Sequence, residues 1–131
     1  MKQTLFDIVI IGAGVIGHSI AFRLKQCRPD LKLAVLGDPM NSLMASRAAA
    51  GMLAPFGECS EADRFFRFCR ESLLQYPDFI KDLISTSNIP VHLSMKGSLI
   101  PSSSLANDWE KRILFFREEN IPHEIWSPER C

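Results

Sequence analysis

The chain contains 131 residues, of which 47% are hydrophobic and 23% are charged, and its 15 basic residues balance its 15 acidic ones. This length allows one modest domain with its own apolar core, and the composition is ordinary for a globular protein. The balanced charge argues against the basic surface that nucleic acids require, and no basic amphipathic segment indicates attraction to a membrane. We therefore expect a small-molecule ligand, no nucleic-acid partner and no strong membrane signal.

The chain carries no sign of export. No apolar run is long enough to span a bilayer, and Met1 to Leu5 lacks the apolar core of a signal peptide. We therefore expect a cytoplasmic protein. The four cysteines form no C-x-x-C pair and no metal-ligand spacing with the three histidines, which predicts free thiols and no metal site.

The N-terminal third begins with a βαβ pattern. An apolar strand, Asp7 to Ile11, runs directly into the motif Gly12-Ala13-Gly14-Val15-Ile16-Gly17. Because the strand is rich in β-branched residues and shows no polar alternation, we expect it to be buried on both faces of a parallel sheet. A helix from about Val15 to Gln26 and a second strand, Leu31 to Leu36, complete the unit in which this motif binds dinucleotides.

Each glycine of the G-x-G-x-x-G motif has a separate physical role. Gly12 permits the tight turn, Gly14 lets the backbone approach a pyrophosphate, and Gly17 lets the helix pack closely on the strand. The helix N-terminus points N–H groups and a positive dipole end at the phosphates. We predict cofactor contacts at Gly12, Gly14, Val15, Ile16 and Gly17, and a purely structural glycine turn is the alternative.

The end of the second strand departs from the usual pattern. The carboxylate that binds a ribose hydroxyl normally closes this strand, about 20 residues beyond the glycines. Here Gly37 holds that position, and Asp38 is the first carboxylate. We predict that Asp38 binds the ribose and that Gly37 lies beside the cofactor; the alternative is a solvated turn aspartate. No arginine takes this place, which disfavours a cofactor with a 2′-phosphate.

A long helix is predicted in the middle of the chain. Ser60 as N-cap and Asp63 at the third helical position form a capping box, from which a helix runs to about Gln75. Pro77 kinks or restarts this helix, and the tripeptide Asn88-Ile89-Pro90 ends it.

The remaining segments predict a later helix and short strands. The helix runs from about Leu105 to Glu119, with candidate caps at Ser102 to Ser104, and a second Asn-Ile-Pro tripeptide ends it. Val91 to Leu93 and Ser98 to Ile100 are predicted strands that begin a second sheet, and Ile125-Trp126 indicates another.

The most specific motif follows the second strand, within a stretch from Gly37 to Cys59 in which no period holds. It is Ala-Ser-Arg-Ala-Ala-Ala-Gly-Met-Leu-Ala-Pro-Phe-Gly-Glu, from Ala45 to Glu58. A long irregular segment in a compact domain is usually functional. Together with the glycine motif, this segment resembles the D-amino-acid-oxidase family of FAD-dependent oxidoreductases, most closely the glycine oxidases of thiamine biosynthesis.

The resemblance implies FAD as the cofactor and assigns roles within this segment. Ala45 and Ser46 would lie near the phosphates, and Ala50, Gly51 and Met52 would contact FAD through backbone atoms. Small residues suit such a role because they let the backbone reach van der Waals contact with a ligand. The rival interpretation is a small-residue helix that packs in a core.

The fold class that follows is α/β. A Rossmann-like FAD-binding βαβ unit and its cofactor loop occupy residues 1–60, and the beginning of an α+β substrate domain, which is incomplete, occupies residues 61–131. The resemblance reaches only the N-terminal part of the family, and the residues that would grip the substrate lie beyond Cys131. The catalytic residues are therefore unknown.

The resemblance implies oxidative deamination of a small amino acid or amine, with glycine favoured, to the imino acid with formation of hydrogen peroxide. The first strand has one obvious parallel partner, and an open apolar edge invites pairing with another chain. We therefore expect a homo-oligomer or pairing with a missing C-terminal part. The alternative is a non-catalytic remnant or nucleotide-binding fragment of such an enzyme.

Overall fold

The computed structural model describes residues 5–38, 44–101 and 108–130. The chain divides into two compact units, Met1–Met52 and Leu53–Cys131. The domain boundary that we predicted at residue 60 stays a prediction. No helix within the described residues is both long and apolar enough to cross a membrane.

Short strands and helices alternate in the first unit, and helices dominate the second. In chain order the elements are β1 (Ile8–Ile11), α1 (Val15–Cys27), β2 (Leu33–Leu36), α2 (Ala45–Ala48), α3 (Pro55–Glu58), α4 (Arg64–Ser87), α5 (Trp109–Glu118) and a final 3₁₀ turn, Pro128–Arg130. The mixed α/β class that the sequence predicts is confirmed.

The first unit is built on a parallel pair of strands. β1 pairs with β2 in a register that sets Ile8 opposite Leu33 and Ile11 opposite Leu36, and α1 connects them. At the N-terminal end of the strand pair, the Asp7 carboxylate accepts a hydrogen bond of 2.8 Å from the Lys32 N–H. The predicted βαβ unit is therefore present, with both strands slightly shorter than predicted at their N-terminal ends.

The prediction that β1 is buried on both faces is wrong. Ile8 and Ile10 are half-buried, whereas Val9 and Ile11 are exposed, and Ile11 keeps 88% of its surface accessible. Successive side chains of a strand point to opposite faces, and α1 lies against the face of Ile10, where Gly17 meets the Ile10 side chain. The opposite face, which carries Val9 and Ile11, therefore stays exposed although its side chains are apolar.

The second unit is organised around an aromatic cluster. Phe66 of α4 is completely buried. Its ring meets the Phe115 ring of α5 edge to face at 4.9 Å, and the Phe56 ring of α3 at 6.1 Å. Phe116 and Ile121 complete this cluster. Edge-to-face packing of buried rings stabilises beyond the area removed from water, so the cluster joins three helices.

α4 begins later than predicted. Its N-cap is Asp63, whose carboxylate accepts a 2.7 Å hydrogen bond from the Phe66 N–H, and its first residue is Arg64. The prediction that Ser60 caps this helix is therefore wrong. A carboxylate at the N-cap both satisfies an orphan N–H and interacts favourably with the helix dipole, which favours Asp63 over a serine one turn earlier.

The predicted helix ends are confirmed, and α4 is one continuous helix past Pro77. Asn88 and Asn120 adopt the left-handed conformation, with φ of 56° and 53°. Asparagine tolerates this conformation better than most residues, which explains why an Asn-Ile-Pro tripeptide follows each helix. The structure describes α5 from Trp109 onwards, so the candidate caps at Ser102 to Ser104 lie outside the described residues.

The predicted strands of the second unit are wrong. Val91 to Leu93, Ser98 to Ile100 and Ile125-Trp126 form neither helix nor strand. A strand needs a neighbour for its backbone N–H and C=O groups, and within the described residues β1 and β2 form the only sheet. The apolar side chain of Ile100 packs against the aromatic cluster instead.

Two arginines join the helices of the second unit. Arg112 of α5 is 7% exposed, and its Nη1 donates to the carbonyl oxygens of Phe56 at 3.2 Å and Gly57 at 2.7 Å. Arg70 of α4 forms an ion pair of 3.2 Å with Glu119. Buried N–H donors that meet carbonyl oxygens at a helix end satisfy both groups, so Arg112 holds α3 against α5.

Truncation of a ring tests how much the aromatic cluster contributes to the free energy of unfolding. Phe66→Ala is expected to lower the free energy of unfolding by about 3–5 kcal/mol, because it leaves a cavity among packed rings. Phe68→Ala, on the same helix with 69% of the side chain exposed, is the matched control and is expected to cost less than about 0.5 kcal/mol. Urea denaturation followed by circular dichroism measures both, and equal losses would contradict this account of the core.

The identity of the α4 cap is tested in the same way. Asp63→Ala is expected to lower the free energy of unfolding by about 1 kcal/mol, because the Phe66 N–H loses its acceptor. Ser60→Ala is expected to be close to neutral. A larger loss for Ser60→Ala than for Asp63→Ala, in thermal unfolding at one pH, would restore the capping box.

Candidate cofactor site

The carboxyl ends of β1 and β2 meet at one edge of the sheet. The Gly12 N–H, directly after β1, donates a 2.7 Å hydrogen bond to the Leu36 carbonyl oxygen at the end of β2. The glycine turn and the pair Gly37-Asp38 therefore leave the sheet side by side. In open parallel sheets, ligands bind at this edge.

The glycines at the two ends of the turn are required by conformation and by space. Gly12 has a φ of +113°, which side-chain-bearing residues rarely adopt. Gly17 is buried, and a Cβ on it would overlap the carbonyl oxygen of Gly12 and lie 3.4 Å from Cγ2 of Ile10. α1 can begin this close to β1 only because position 17 has no side chain.

The N-terminus of α1 already holds a hydrogen-bond acceptor. Gly14 is the N-cap, and the first turn carries no acidic side chain. The Val15 N–H donates a 3.0 Å hydrogen bond to Oγ of Ser46, which lies 31 residues further along the chain. A Cβ on Gly14 would lie 3.2 Å from that same oxygen. The two motifs that carry the family resemblance therefore meet at one point.

This point has the chemistry of an anion site. A phosphate oxygen binds to N–H groups at a helix N-terminus and is favoured there by the helix dipole. The Ser46 hydroxyl both accepts and donates, so it can bond a phosphate oxygen as well as the Val15 N–H. Because Gly14 itself adds no side chain in front of this N-terminus, where the small Ser46 hydroxyl lies, the residues present fit the pyrophosphate of a dinucleotide such as FAD.

The rest of the predicted cofactor segment lies at the surface. α2 is one turn, Ala45–Ala48, closed by a 3.0 Å hydrogen bond from the Ala49 N–H to the Ala45 carbonyl oxygen. Its residues are exposed, so the rival interpretation of a small-residue helix packed in a core is wrong. Gly51 has a φ of +76°, and Ala50, Gly51 and Met52 are exposed. Their contacts with FAD stay a prediction.

The end of β2 touches the glycine turn. A Cβ on Gly37 would lie 2.7 Å from the backbone nitrogen of Ala13 and 2.8 Å from its Cβ. Asp38 follows and is exposed. Sequence reasoning missed Ala13, and the available signal was that small residues follow both strands at the positions that meet. Of the other predicted site residues, Val15 and Ile16 are exposed on the first turn of α1.

Among the described residues, the other reactive side chains do not form a second site. The His18 ring is exposed and its Nδ1 lies 3.0 Å from the Gly14 carbonyl oxygen, within the same helical turn. Cys27, Cys59 and Cys69 are free thiols. Burial raises the pKa of the Cys59 thiol, and neighbouring Cys69 adds to the effect, so Cys59 stays protonated at neutral pH. Across the described ranges no group of three His, Cys, Asp or Glu residues could hold a metal ion.

Comparison with known proteins agrees with this geometry. The model of a family described as FAD dependent oxidoreductase (DAO) matches residues 7–131. The bifunctional protein ThiO/ThiG of Synechocystis sp. is 34% identical over 139 aligned residues, which cover 97% of this chain. Glycine oxidases of Bacillus licheniformis and Bacillus subtilis are 36% and 35% identical over 72% and 66% of this chain.

These relatives are much longer than the present chain. The aligned region spans 21% of the ThiO/ThiG protein and 25% and 23% of the two glycine oxidases. No solved structure matches the chain. The family match extends over nearly every residue and includes both motifs at the edge of the sheet. The chain therefore belongs to the DAO family of FAD-dependent oxidoreductases.

Proposed function

We propose that this chain is the FAD-binding part of an oxidase that deaminates a small amino acid, with glycine favoured, to the imino acid with formation of hydrogen peroxide. The observation that carries the proposal is the 3.0 Å hydrogen bond between the Val15 N–H and Ser46 Oγ. It joins the glycine turn to the alanine-rich segment at the N-terminus of a helix, where a pyrophosphate is best stabilised.

In this proposal the backbone binds the phosphates. The N–H groups of Val15, Ile16 and Gly17 face the pyrophosphate, Gly14 lets it approach, and the Ser46 hydroxyl bonds one of its oxygens. Gly12 shapes the turn without a side chain. These groups need no basic residue, because helix N–H groups and the dipole supply the positive potential.

The residues after Ser46 lead from the phosphates toward the flavin. Ala45 would lie near the phosphates, and Ala50, Gly51 and Met52, which are exposed, would contact FAD through backbone atoms. The left-handed Gly51 turns the chain at this point. Bound FAD supplies the hydride-accepting centre, and these small residues hold that centre close to the backbone.

The choice of substrate is supported by the names of the relatives. Two of them are named glycine oxidases, which supports glycine or a similar small amino acid or amine as the molecule oxidised.

The apolar residues at the sheet edge, with Ile11 88% exposed and Leu36 54% exposed, support association with a second copy or with a C-terminal part of the enzyme.

A second candidate function is flavin binding without turnover. It is favoured by the coverage, because the aligned region is only 21–25% of the length of the three relatives. The residues that we propose for phosphate binding lie within the described part of the chain.

One experiment separates these possibilities. The purified chain is mixed with FAD, freed of unbound flavin, and examined for flavin absorbance and for peroxide formation with glycine. The proposal predicts bound flavin. Peroxide formed with glycine would support the oxidase activity directly, whereas bound flavin without peroxide supports the second candidate for these 131 residues. A chain that retains no flavin would contradict both.

The phosphate cradle is tested by substitution at Gly14. Gly14→Val is expected to lower FAD affinity at least about 100-fold, because its side chain would stand between the helix N-terminus and the pyrophosphate. Gly57→Ala is the control, since a Cβ there would lie at an ordinary 3.7 Å from Ala54 Cβ. Quenching of flavin fluorescence measures both, and an unchanged affinity in Gly14→Val would remove the phosphate site from this edge.

A further inference from the structure

Arg112 of α5 is buried without the partners that a buried cation usually has. It keeps 7% of its surface exposed, and its Nε–H meets no acceptor among the described residues. No carboxylate in the described part of the chain forms an ion pair with it. A buried charge with an unsatisfied donor costs free energy, whereas a well-packed apolar side chain of similar volume often leaves stability unchanged or raises it. Packing alone therefore does not explain an arginine at this position.

The two acceptors that Arg112 does meet lie in one short helix. Its Nη1 donates to the carbonyl oxygens of Phe56 at 3.2 Å and of Gly57 at 2.7 Å, both in α3. α3 is a single turn without a side-chain cap, and a helix of this length is unstable by itself. The last carbonyl groups of a helix have no partner within it. The hydrogen bonds from Arg112 therefore hold a turn that would otherwise fray.

α3 follows directly on the residues that we propose to contact the flavin. It begins at Pro55, soon after Ala50, Gly51 and Met52. Those three residues are exposed and belong to no helix or strand, so little in their own surroundings limits their conformations. Ordering such a backbone on binding costs conformational entropy, and the cost is smaller where the adjoining helix is already fixed.

We propose that Arg112 is a positioning residue for the flavin end of the cofactor. Its hydrogen bonds to Phe56 and Gly57 fix α3, and the fixed helix preorganises the adjoining residues 50–52 for the ring system. This inference rests on the proposed function, because it concerns how the same cofactor is bound. Since Arg112 is buried, it acts through α3 and not by contact with FAD. The pyrophosphate depends on other groups, the glycine turn and Ser46.

Two ligands separate the two ends of the cofactor. ADP carries the adenosine and the pyrophosphate of FAD and lacks the flavin. The unaltered chain is expected to bind FAD more tightly than ADP in isothermal titration. Arg112→Met, which keeps an unbranched side chain but removes the donors, is expected to lower FAD affinity about tenfold and to leave ADP affinity unchanged. The visible absorption spectrum of FAD bound to this variant is expected to move toward that of free FAD.

Arg70→Met is the matched control. It also removes one arginine from a helix of the second unit, but the ion pair of Arg70 is made with Glu119 and not with a carbonyl of α3. The affinities for FAD and for ADP are both expected to stay unchanged in this variant.

A second variant loosens α3 and leaves Arg112 in place. Pro55 stands at the first position of the helix, where its ring presets the backbone conformation. Pro55→Gly removes this restriction and is expected to lower FAD affinity about threefold, again with ADP affinity unchanged.

The outcomes are distinct. Equal weakening of FAD and ADP in Arg112→Met, or an unweakened FAD, overturns the inference and leaves the proposed function standing. An unaltered chain that binds FAD no more tightly than ADP overturns it too, because the flavin then gains nothing from residues 50–52. An unaltered chain that binds neither ligand overturns this inference and the proposed function together. If circular dichroism shows that Arg112→Met does not fold, Pro55→Gly decides: a selective loss of FAD affinity supports the inference, and any other result overturns it.

Discussion

The close approach of backbone at the carboxyl ends of β1 and β2 is the constraint on which the proposed cofactor site depends. The Gly12 N–H donates a hydrogen bond to the Leu36 carbonyl oxygen. Gly17 packs against the Gly12 carbonyl, and Gly37 packs against Ala13. Gly17 and Gly37 leave no room for a side chain, and Gly12 is required by its φ of +113°. These contacts bring the end of β2, the turn and the start of α1 to one edge, and Ser46 adds the second motif to it.

The two units are ordered by different physical means. In the first, Gly17 is the one buried residue among those described, and the edge is held by backbone hydrogen bonds and by the absence of side chains. In the second, rings pack around Phe66 and a buried Arg112 joins α3 to α5. Because the first unit buries so little apolar surface, the stabilisation that a ligand adds by binding only the folded state is a larger share of its total stability.

Local patterns predicted the parts of the fold that local forces determine. The strand, turn and helix around Gly12 follow from periodicity and glycine spacing, and asparagine predicted both helix ends. The prediction of a strand at Val91 to Leu93 was wrong, because an apolar run forms a strand only beside a neighbouring strand. Capping by Asp63 was missed because Ser60 also fits the rule. The contact of Ala13 with Gly37 joins two strand ends that the sequence separates, so pattern alone did not reveal it.

The central claim is that the glycine turn and Ser46 together form the FAD pyrophosphate site. Amide chemical shifts of the isotopically labelled chain during titration with FAD test it most directly. The account predicts that the Val15 amide is among the most strongly shifted, since its hydrogen bond to Ser46 changes when a phosphate binds, together with those of Gly12, Gly14 and Gly51. Shifts confined to α4 and α5, with the Val15 amide unmoved, would contradict it.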